Sequence, residues 1–491
     1  MVEPGRAGGA GGAGAGGAGG AGGARGAGRP DLSRPRRIHL VGVGGSGMSA
    51  IATVLAGMGH RVSGSDAAGS AVLDRLARRG LDVHGGHDPA WVDDAEVIAI
   101  STAIPAQNVE VREALRRGMT VWRRSQLLAA ICARRRTVAV SGSHGKTTTS
   151  AMLALVLRDA GLRPSMIVGG DVAGAGSGAV WDPAGEWLVV EADESDGTFV
   201  ELGAEAVVVT SVGSDHADFY GGTEALREAF VRFVREAPGP VVLCADDPGS
   251  ASLEQVVAAG PERVVTYGTA ATASVRIADV VVERSAAHFS LAAGGETVGR
   301  FSLPVPGLHN VRNATAALAT AHALGVAWEV AGRGLAGYTG VARRYEQRGV
   351  RSGVTYIDDY AHNPEKVEAA LATARAGGWS RVVAVFQPHR YSRTEALWRQ
   401  LGEACAAADV LLVTDVYPAG ERPRAGVSGR LVADAARAAR AGADVRYEPT
   451  LEGVARALRD ELRPGDLCIT LGAGDVTTLA ASLLGEADAD G

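Results

Sequence analysis

Twice in the first third of the chain a short β-rich run breaks into glycines and gives way at once to helix-forming residues. Residues 38–43 run into Gly42-Val43-Gly44-Gly45-Ser46-Gly47, and residues 137–141 run into Gly142-Ser143-His144-Gly145-Lys146-Thr147-Thr148. A glycine turn between a strand and a helix belongs to parallel sheets, where each strand must be followed by a crossover. The rest of the chain repeats this alternation. Strands are expected at 61–65, 97–101, 187–191, 206–211 and 241–245, and later at 355–358, 381–386, 410–415 and 467–471. Helices are expected at 48–58, 147–160 and 310–324.

At roughly 100–200 residues per domain, 491 residues suggest about three domains. Breaks in the pattern divide the chain into 1–35, 36–131, 132–343 and 344–491. Residues 5–29 contain only Gly, Ala and Arg, which bury almost nothing, so 1–35 is expected to be a disordered tail. The fold class is α/β: a Rossmann-like N-terminal domain, a central P-loop ATPase-like parallel-sheet domain and a Rossmann-like C-terminal domain.

A net charge of -6 leaves no broad basic surface for nucleic acid. No apolar run approaches the roughly 18 residues of a membrane span, and the N-terminus lacks the apolar stretch of a secretory signal. Four scattered cysteines without a CxxC pair point to reduced thiols and a cytoplasmic location. Of the 49 basic residues only Lys146 and Lys366 are lysine. In a chain this biased towards arginine, a retained lysine marks a place for a compact ammonium that guanidinium cannot replace.

Gly42, Gly44, Gly45, Ser46 and Gly47 form a G-x-G-x-x-G turn, and Asp66 follows at the end of the next strand. The glycines let the backbone approach a pyrophosphate, and the acid can bond a ribose hydroxyl. The alternative is a close-packed turn with no ligand. The second loop has the layout of a phosphate cradle. Its backbone N–H groups from Gly142 to Thr148 would face phosphates, Lys146 the β/γ oxygens and Thr147 a Mg²⁺ ion. Val140 stands where the usual pattern has its first glycine, so the loop is a shortened variant.

The acidic segment 191–196 and Asp215-His216 follow two strands beside that loop, where Mg²⁺ is held in such folds. Glu191 and His216 are the favoured ligands, while a solvated loop accounts for some of the other acids. Further on, Arg343-Arg344, the segment 358–362 and His389-Arg390 with Arg393 suit a phosphoryl or carboxylate clamp. Any single arginine among so many is ordinarily only solvated.

In this order the pieces resemble the Mur ligases, the ATP-dependent amide ligases of peptidoglycan precursor synthesis. The similar stretches include HLVGVGGSGMSAIA (39–52), SGSHGKTTT (141–149), EADESDGTF (191–199), SDHADFY (214–220) and GLHNVRNATAA (307–317). Others are GVARRYE (340–346), DDYAHNPEKV (358–367), FQPHRYSRT (386–394), TDVYPAGE (414–421) and GAGD (472–475). The sister enzymes that add later residues resemble one another in a carbamylated central lysine. No lysine lies between Lys146 and Lys366 here, which agrees with the alanine-adding branch.

That resemblance implies UDP-N-acetylmuramate, L-alanine and ATP as substrates, Mg²⁺ as cofactor, and a monomer or weak homodimer. The first loop, with Asp66, His87 and Ser101, would hold the UDP-sugar. ATP would meet residues 142–148, His309, Asn313, Arg344 and Asp359. Thr147, Glu191 and His216 would ligate the metal. Tyr360, His362, His389, Arg390 and Arg393 would form the amino-acid pocket, and Lys146, His216, Arg344 and His389 would act in catalysis. A murein tripeptide recycling ligase is the alternative. More remote are a nicotinamide-type oxidoreductase and a nucleotide-binding regulator without catalysis. Ser211 and Gly213 depart from the family's usual Asn and Glu, which leaves those positions without an assigned role.

Overall fold

The computed structural model describes residues 30–101, 103–172, 177–213, 215–257 and 263–485. Most of the expected tail, 1–29, lies outside the described residues. The packed fold starts before Arg36, because Leu32 is buried in the N-terminal core. A single leucine beyond the glycine-rich stretch suffices to anchor the chain there.

Three sheets follow one another along the sequence. The first contains β1 (Arg37–Val41), β2 (Arg61–Asp66), β3 (Asp82–Gly85), β4 (Val97–Ile100) and β5 (Thr120–Arg123). They pair in parallel in the order β3-β2-β1-β4-β5. Strand order reverses between β1 and β4, and the crevice beyond the carboxyl ends of such strands is where open α/β sheets bind ligands.

The second sheet holds β6 (Arg136–Ser141), β7 (Ser165–Ile167), β8 (Ala179–Val180), β9 (Trp187–Glu191) and β10 (Ala206–Val209). It continues with β11 (Val241–Cys244), β12 (Val264–Gly268), β13 (Val275–Val282), β14 (Ala287–Ala293) and β15 (Glu296–Leu303). Their order is β15-β14-β13-β12-β11-β10-β6-β9-β7-β8. The stretch from β13 to β7 is parallel, whereas β14, β15 and β8 add antiparallel edges. Helices on both faces bury the central strands: Val138, Ala139 and Val140 are fully enclosed, as are Val207 to Val209. This accounts for their continuous apolar wording, and each buried valine contributes about 1.5–3 kcal/mol.

The third sheet runs β16 (Glu346–Arg351), β17 (Val354–Asp359), β18 (Val382–Phe386), β19 (Val410–Val413), β20 (Asp444–Tyr447) and β21 (Leu467–Leu471). Its order is β16-β17-β21-β18-β19-β20, parallel except for the edge strand β16. Among the described residues no helix is long and apolar enough to cross a membrane. All four cysteines are buried thiols.

Candidate active site

In the first crevice the glycine loop leaves β1 against Ser65 O, which accepts from the N–H groups of Gly42 and Val43 at 2.8 and 2.9 Å. Gly42 has φ +85, and a Cβ there would stand 3.3 Å from the Ser101 Cβ. Ser101, just past β4, therefore sits against the loop. Asp66, expected to contact a ribose, lies beside the loop: Oδ2 accepts from Gly44 N at 2.8 Å and Oδ1 from Ala67 N at 2.8 Å. Its carboxylate fixes the turn. Gly45 and Ser46 are exposed at the tip. Gly47 gives way to Arg124, which bonds Asp196 of the central domain at 2.5 Å. His87 meets a fully buried carboxylate that the sequence did not flag. Its Nδ1 lies 3.3 Å from Glu110 Oε2, which also accepts from Ser65 Oγ at 2.6 Å. This grouping depends on long-range pairing of β1, β2 and the helix Val109–Arg116, so no local motif announces it.

The second loop connects β6 to the helix Lys146–Asp159. Gly142 (φ +130) and Gly145 (φ +80) occupy left-handed backbone, and a Cβ at either would press within 2.3 Å of Thr210 Oγ1 or Asn313 Oδ1 respectively. Ser211 braces the loop. Its O accepts from Ser143 N at 3.1 Å and its Oγ from His144 N at 3.0 Å. Gly213 N donates to Ser143 Oγ at 2.7 Å. The two departures from the family wording are thus loop supports in this chain.

Lys146 Nζ donates to Gly142 O at 2.7 Å and to both Glu194 oxygens, at 2.8 and 3.0 Å. Burial disfavours its charge, but Glu194, Asp193 and Glu191 outweigh that effect and hold its pKa above the usual lysine value. Thr147 Oγ1 donates to Glu191 Oε1 at 3.1 Å, while Glu191 Oε2 accepts from Gly169 N at 2.7 Å. Asp193, Glu194 and His216 bring ligand atoms within 4.8 Å of one another. His216 itself has φ +68, strained backbone for a non-glycine residue. Thr147 and Glu191 therefore stand together, and His216 belongs to the neighbouring acidic group. Both offer the hard oxygen donors that suit Mg²⁺.

Facing the loop is a cavity between the central and C-terminal domains. Its walls include His144, Tyr267, His309, Arg344, Asp359 and Lys366. Burial, together with Arg312, lowers His309 to about 4, so its ring is neutral. Asn313 Oδ1 accepts from Thr149 Oγ1 at 3.3 Å, beside Gly145. Asp359 lines the same cavity, yet its oxygens accept from Tyr345 N and Ala361 N at 2.7 and 2.8 Å, which ties down the hinge. Burial lifts its pKa to about 6. Arg344 reaches across from that hinge to Thr147 Oγ1, 3.3 Å away.

The remaining expected residues gather at the ends of β17 and β18. His362 Nδ1–H donates to Tyr360 O at 2.8 Å, and the His362 and His389 rings lie 5.9 Å apart. Arg393 Nη1 is 3.2 Å from His389 Nδ1. Arg390 has φ +71, and its N–H donates to Tyr417 O at 2.8 Å. Burial and adjacent cations push His362 down to about 2 and His389 to about 4. Tyr417, stacked on His389 at 5.7 Å, and Lys366 are site residues that sequence reasoning passed over. The lysine count that singled out Lys146 applies equally to Lys366.

Comparison with known proteins matches this geometry to a family. Residues 37–136 fit the profile described as Mur ligase family, catalytic domain; 140–321 fit the Mur ligase middle domain; 343–474 fit the Mur ligase, glutamate ligase domain. A UDP-N-acetylmuramate–L-alanine ligase of Kineococcus radiotolerans is 46% identical over 92% of this chain and 96% of its own. One from Rubrobacter xylanophilus is 44% identical over 91% and 99%. The crystal structure of the UDP-N-acetylmuramate-alanine ligase of Thermotoga maritima superposes with a TM-score of 0.79 at 25% identity, covering 92% of this chain and 99% of that one. A murein peptide ligase from Psychrobacter arcticus shares the fold at a TM-score of 0.65 and 22% identity, over 92% and 98%. With three profiles matched in order and relatives aligned over nearly the whole length, the chain belongs to the Mur ligase family.

Proposed function

We propose that this chain is an ATP-dependent, ADP-forming ligase that joins L-alanine to the lactoyl carboxylate of UDP-N-acetylmuramate in peptidoglycan precursor synthesis. The observation that carries the reading is full-length similarity, at up to 46% identity, to proteins named for that activity. The phosphate loop agrees with it, since its lysine and threonine stand among carboxylates. Each domain takes one part of the reaction: 36–131 the UDP-sugar, 132–343 ATP and 344–491 the amino acid. The work takes place in the cytoplasm.

The glycine loop 42–47, with Ser101 and His87 beside it, cradles the UDP-sugar. Residues 142–148 wrap the triphosphate, and His309 and Asn313, which line the same cavity, meet the nucleoside. Thr147 with Glu191, and His216 with its neighbouring acids, would hold Mg²⁺, which would neutralise charge on the phosphoryl oxygens.

A lactoyl carboxylate oxygen attacks the γ-phosphorus, ADP departs with the bonding pair, and an acyl phosphate results. Lys146 from the phosphate loop and Arg344 from the hinge stabilise the charge of the transferring group. The alanine nitrogen then attacks the acyl carbon, and the tetrahedral adduct collapses to amide and phosphate. Before that attack the ammonium must lose a proton. Burial, with Arg393 and Arg390, keeps His389 neutral, and its lone pair on Nδ1, 3.2 Å from Arg393 Nη1, receives the proton once Arg393 turns to the alanine carboxylate. Arg390 and Arg393 provide the cations for the alanine carboxylate.

ADP release with ATP, Mg²⁺ and UDP-N-acetylmuramate, with either L-alanine or L-Ala-γ-D-Glu-meso-diaminopimelate as acceptor, tests the reading. Turnover with alanine is the expected outcome. Turnover only with the tripeptide would assign the chain to recycling and overturn the acceptor pocket.

A further inference from the structure

The chain carries 47 arginines and two lysines, and both lysines belong to the nucleotide cleft although they lie in different domains. Lys146 is engaged by the loop carbonyl and by Glu194. Lys366 comes from the C-terminal domain, on the first turn of the helix Pro364–Ala376, and lines the cavity opposite His144. Among the described residues its ammonium has neither a hydrogen bond nor an ion pair.

The neighbours of Lys366 make that state informative. Arg344 and Lys366 line the cavity beside Gly145, and Lys146, the next residue of the loop, is close enough to repel Lys366 as Arg344 does, so cations from the phosphate loop, the hinge and the C-terminal helix lie near one another. The carboxylates within reach have other partners: Glu194 is bonded to Lys146, and Asp215 Oδ2 accepts from Asn363 Nδ2 at 2.9 Å. Asp215 is the opposing charge that acts most on Lys366, and it forms no ion pair with it, so these neighbouring cations are only partly balanced, which suits a polyanion.

We propose that Lys366 is a phosphate-binding residue that the C-terminal domain delivers to the β/γ end of ATP, completing a three-cation cradle with Lys146 and Arg344. This rests on the reading of the cleft as an ATP site. It adds a contact that forms only when the third domain is seated. Asn363 sets its position, because its Oδ1 accepts from Lys366 N at 3.2 Å while its amide reaches Asp215 across the cleft. A compact, flexible ammonium can track a phosphoryl group that moves during transfer, which explains why arginine has not replaced it.

The test compares wild type with Lys366→Met and Lys366→Arg, using calorimetry for ATP and for UDP-N-acetylmuramate, and KM and kcat for alanine-dependent ADP release. Losing a charge-assisted contact weakens ATP binding about 10- to 100-fold. UDP-sugar affinity stays within about twofold in all three proteins, since that crevice is on another domain, and this also reports a folded chain. Lys366→Arg recovers part of the ATP affinity because it restores charge. Wild-type ATP affinity in Lys366→Met would overturn the proposal, as would equal weakening towards both ligands. If wild type binds ATP but does not turn over alanine, the acceptor assignment fails while the calorimetric comparison still decides the role of Lys366.

Discussion

At the scale of single residues, the site is built from charges held in check by one another. Lys146 and Glu194 are the clearest case, because Glu194 is 1% exposed and its ammonium partner uses two of three donors on it. Removing one member leaves the other buried and unpaired, at about 3–5 kcal/mol. Lys146→Met should therefore abolish turnover and also lower the melting temperature. Adding Glu194→Gln to that variant should recover much of the melting temperature and none of the ADP release. Thermal unfolding of the two proteins beside a turnover assay separates these effects; equal melting temperatures would show that the pair contributes little to stability. Lys146 was legible in the sequence because a loop motif and a rare residue type coincide there. Lys366 was equally rare and lay in the family-like stretch 358–367, but no phosphate-loop glycines stood beside it to suggest a role. Ser211 and Gly213 read as losses of family chemistry, yet they support the loop through Oγ and N–H, roles that emerge only when β10 lies beside β6.

At the scale of elements, sequence and structure agree where strands are buried on both faces. The apolar runs of β6, β9, β10, β18, β19 and β21 stand where their wording places them, within one or two residues. Strands with one open face escaped. β13 buries Val275 and Ile277 in alternation, but the bulge after Ala278, with Asp279 at φ +50, breaks the period. The Gly294-Gly295 turn between β14 and β15 was the remaining signal of that hairpin. The short strands β3, β5 and β20, four residues each, carry too little pattern to be read alone. The helix Pro364–Ala376 shows how one cap can serve two purposes. Asn363 caps it and also bridges to Asp215 of the central domain. Asn363→Ala should cost the C-terminal domain about 1 kcal/mol in denaturant unfolding. It should also weaken ATP binding by displacing Lys366, an effect that capping alone cannot produce. Unchanged ATP affinity in a correspondingly destabilised variant would confine Asn363 to the helix.

At the scale of the molecule, three substrates are held on three domains, so the reaction depends on how those domains meet. The N-terminal and central domains are joined by Arg75 to Asp171 at 2.6 Å and Arg124 to Asp196 at 2.5 Å, and one cluster of buried residues runs through both. The C-terminal domain has its own core and touches the central one through polar contacts. Arg344 meets Thr147, Asn363 meets Asp215, and Arg284 donates to Gly377 O and Gly378 O at 3.0 and 2.8 Å. Contacts of this kind exchange readily with water, so separating the two bodies costs little, whereas parting the first two would expose a shared apolar core. The hinge has strain to release as well: Arg343 and Tyr345, on either side of Arg344, sit at φ +61 and +50. The C-terminal domain should therefore swing while the other two move together. X-ray scattering should show the radius of gyration falling when nucleotide and UDP-sugar are present together, and less with UDP-sugar alone, since it is the phosphates that draw in Arg344 and Lys366. An unchanged radius under all conditions would mean that the third domain is already seated, and that substrate entry depends on loops instead.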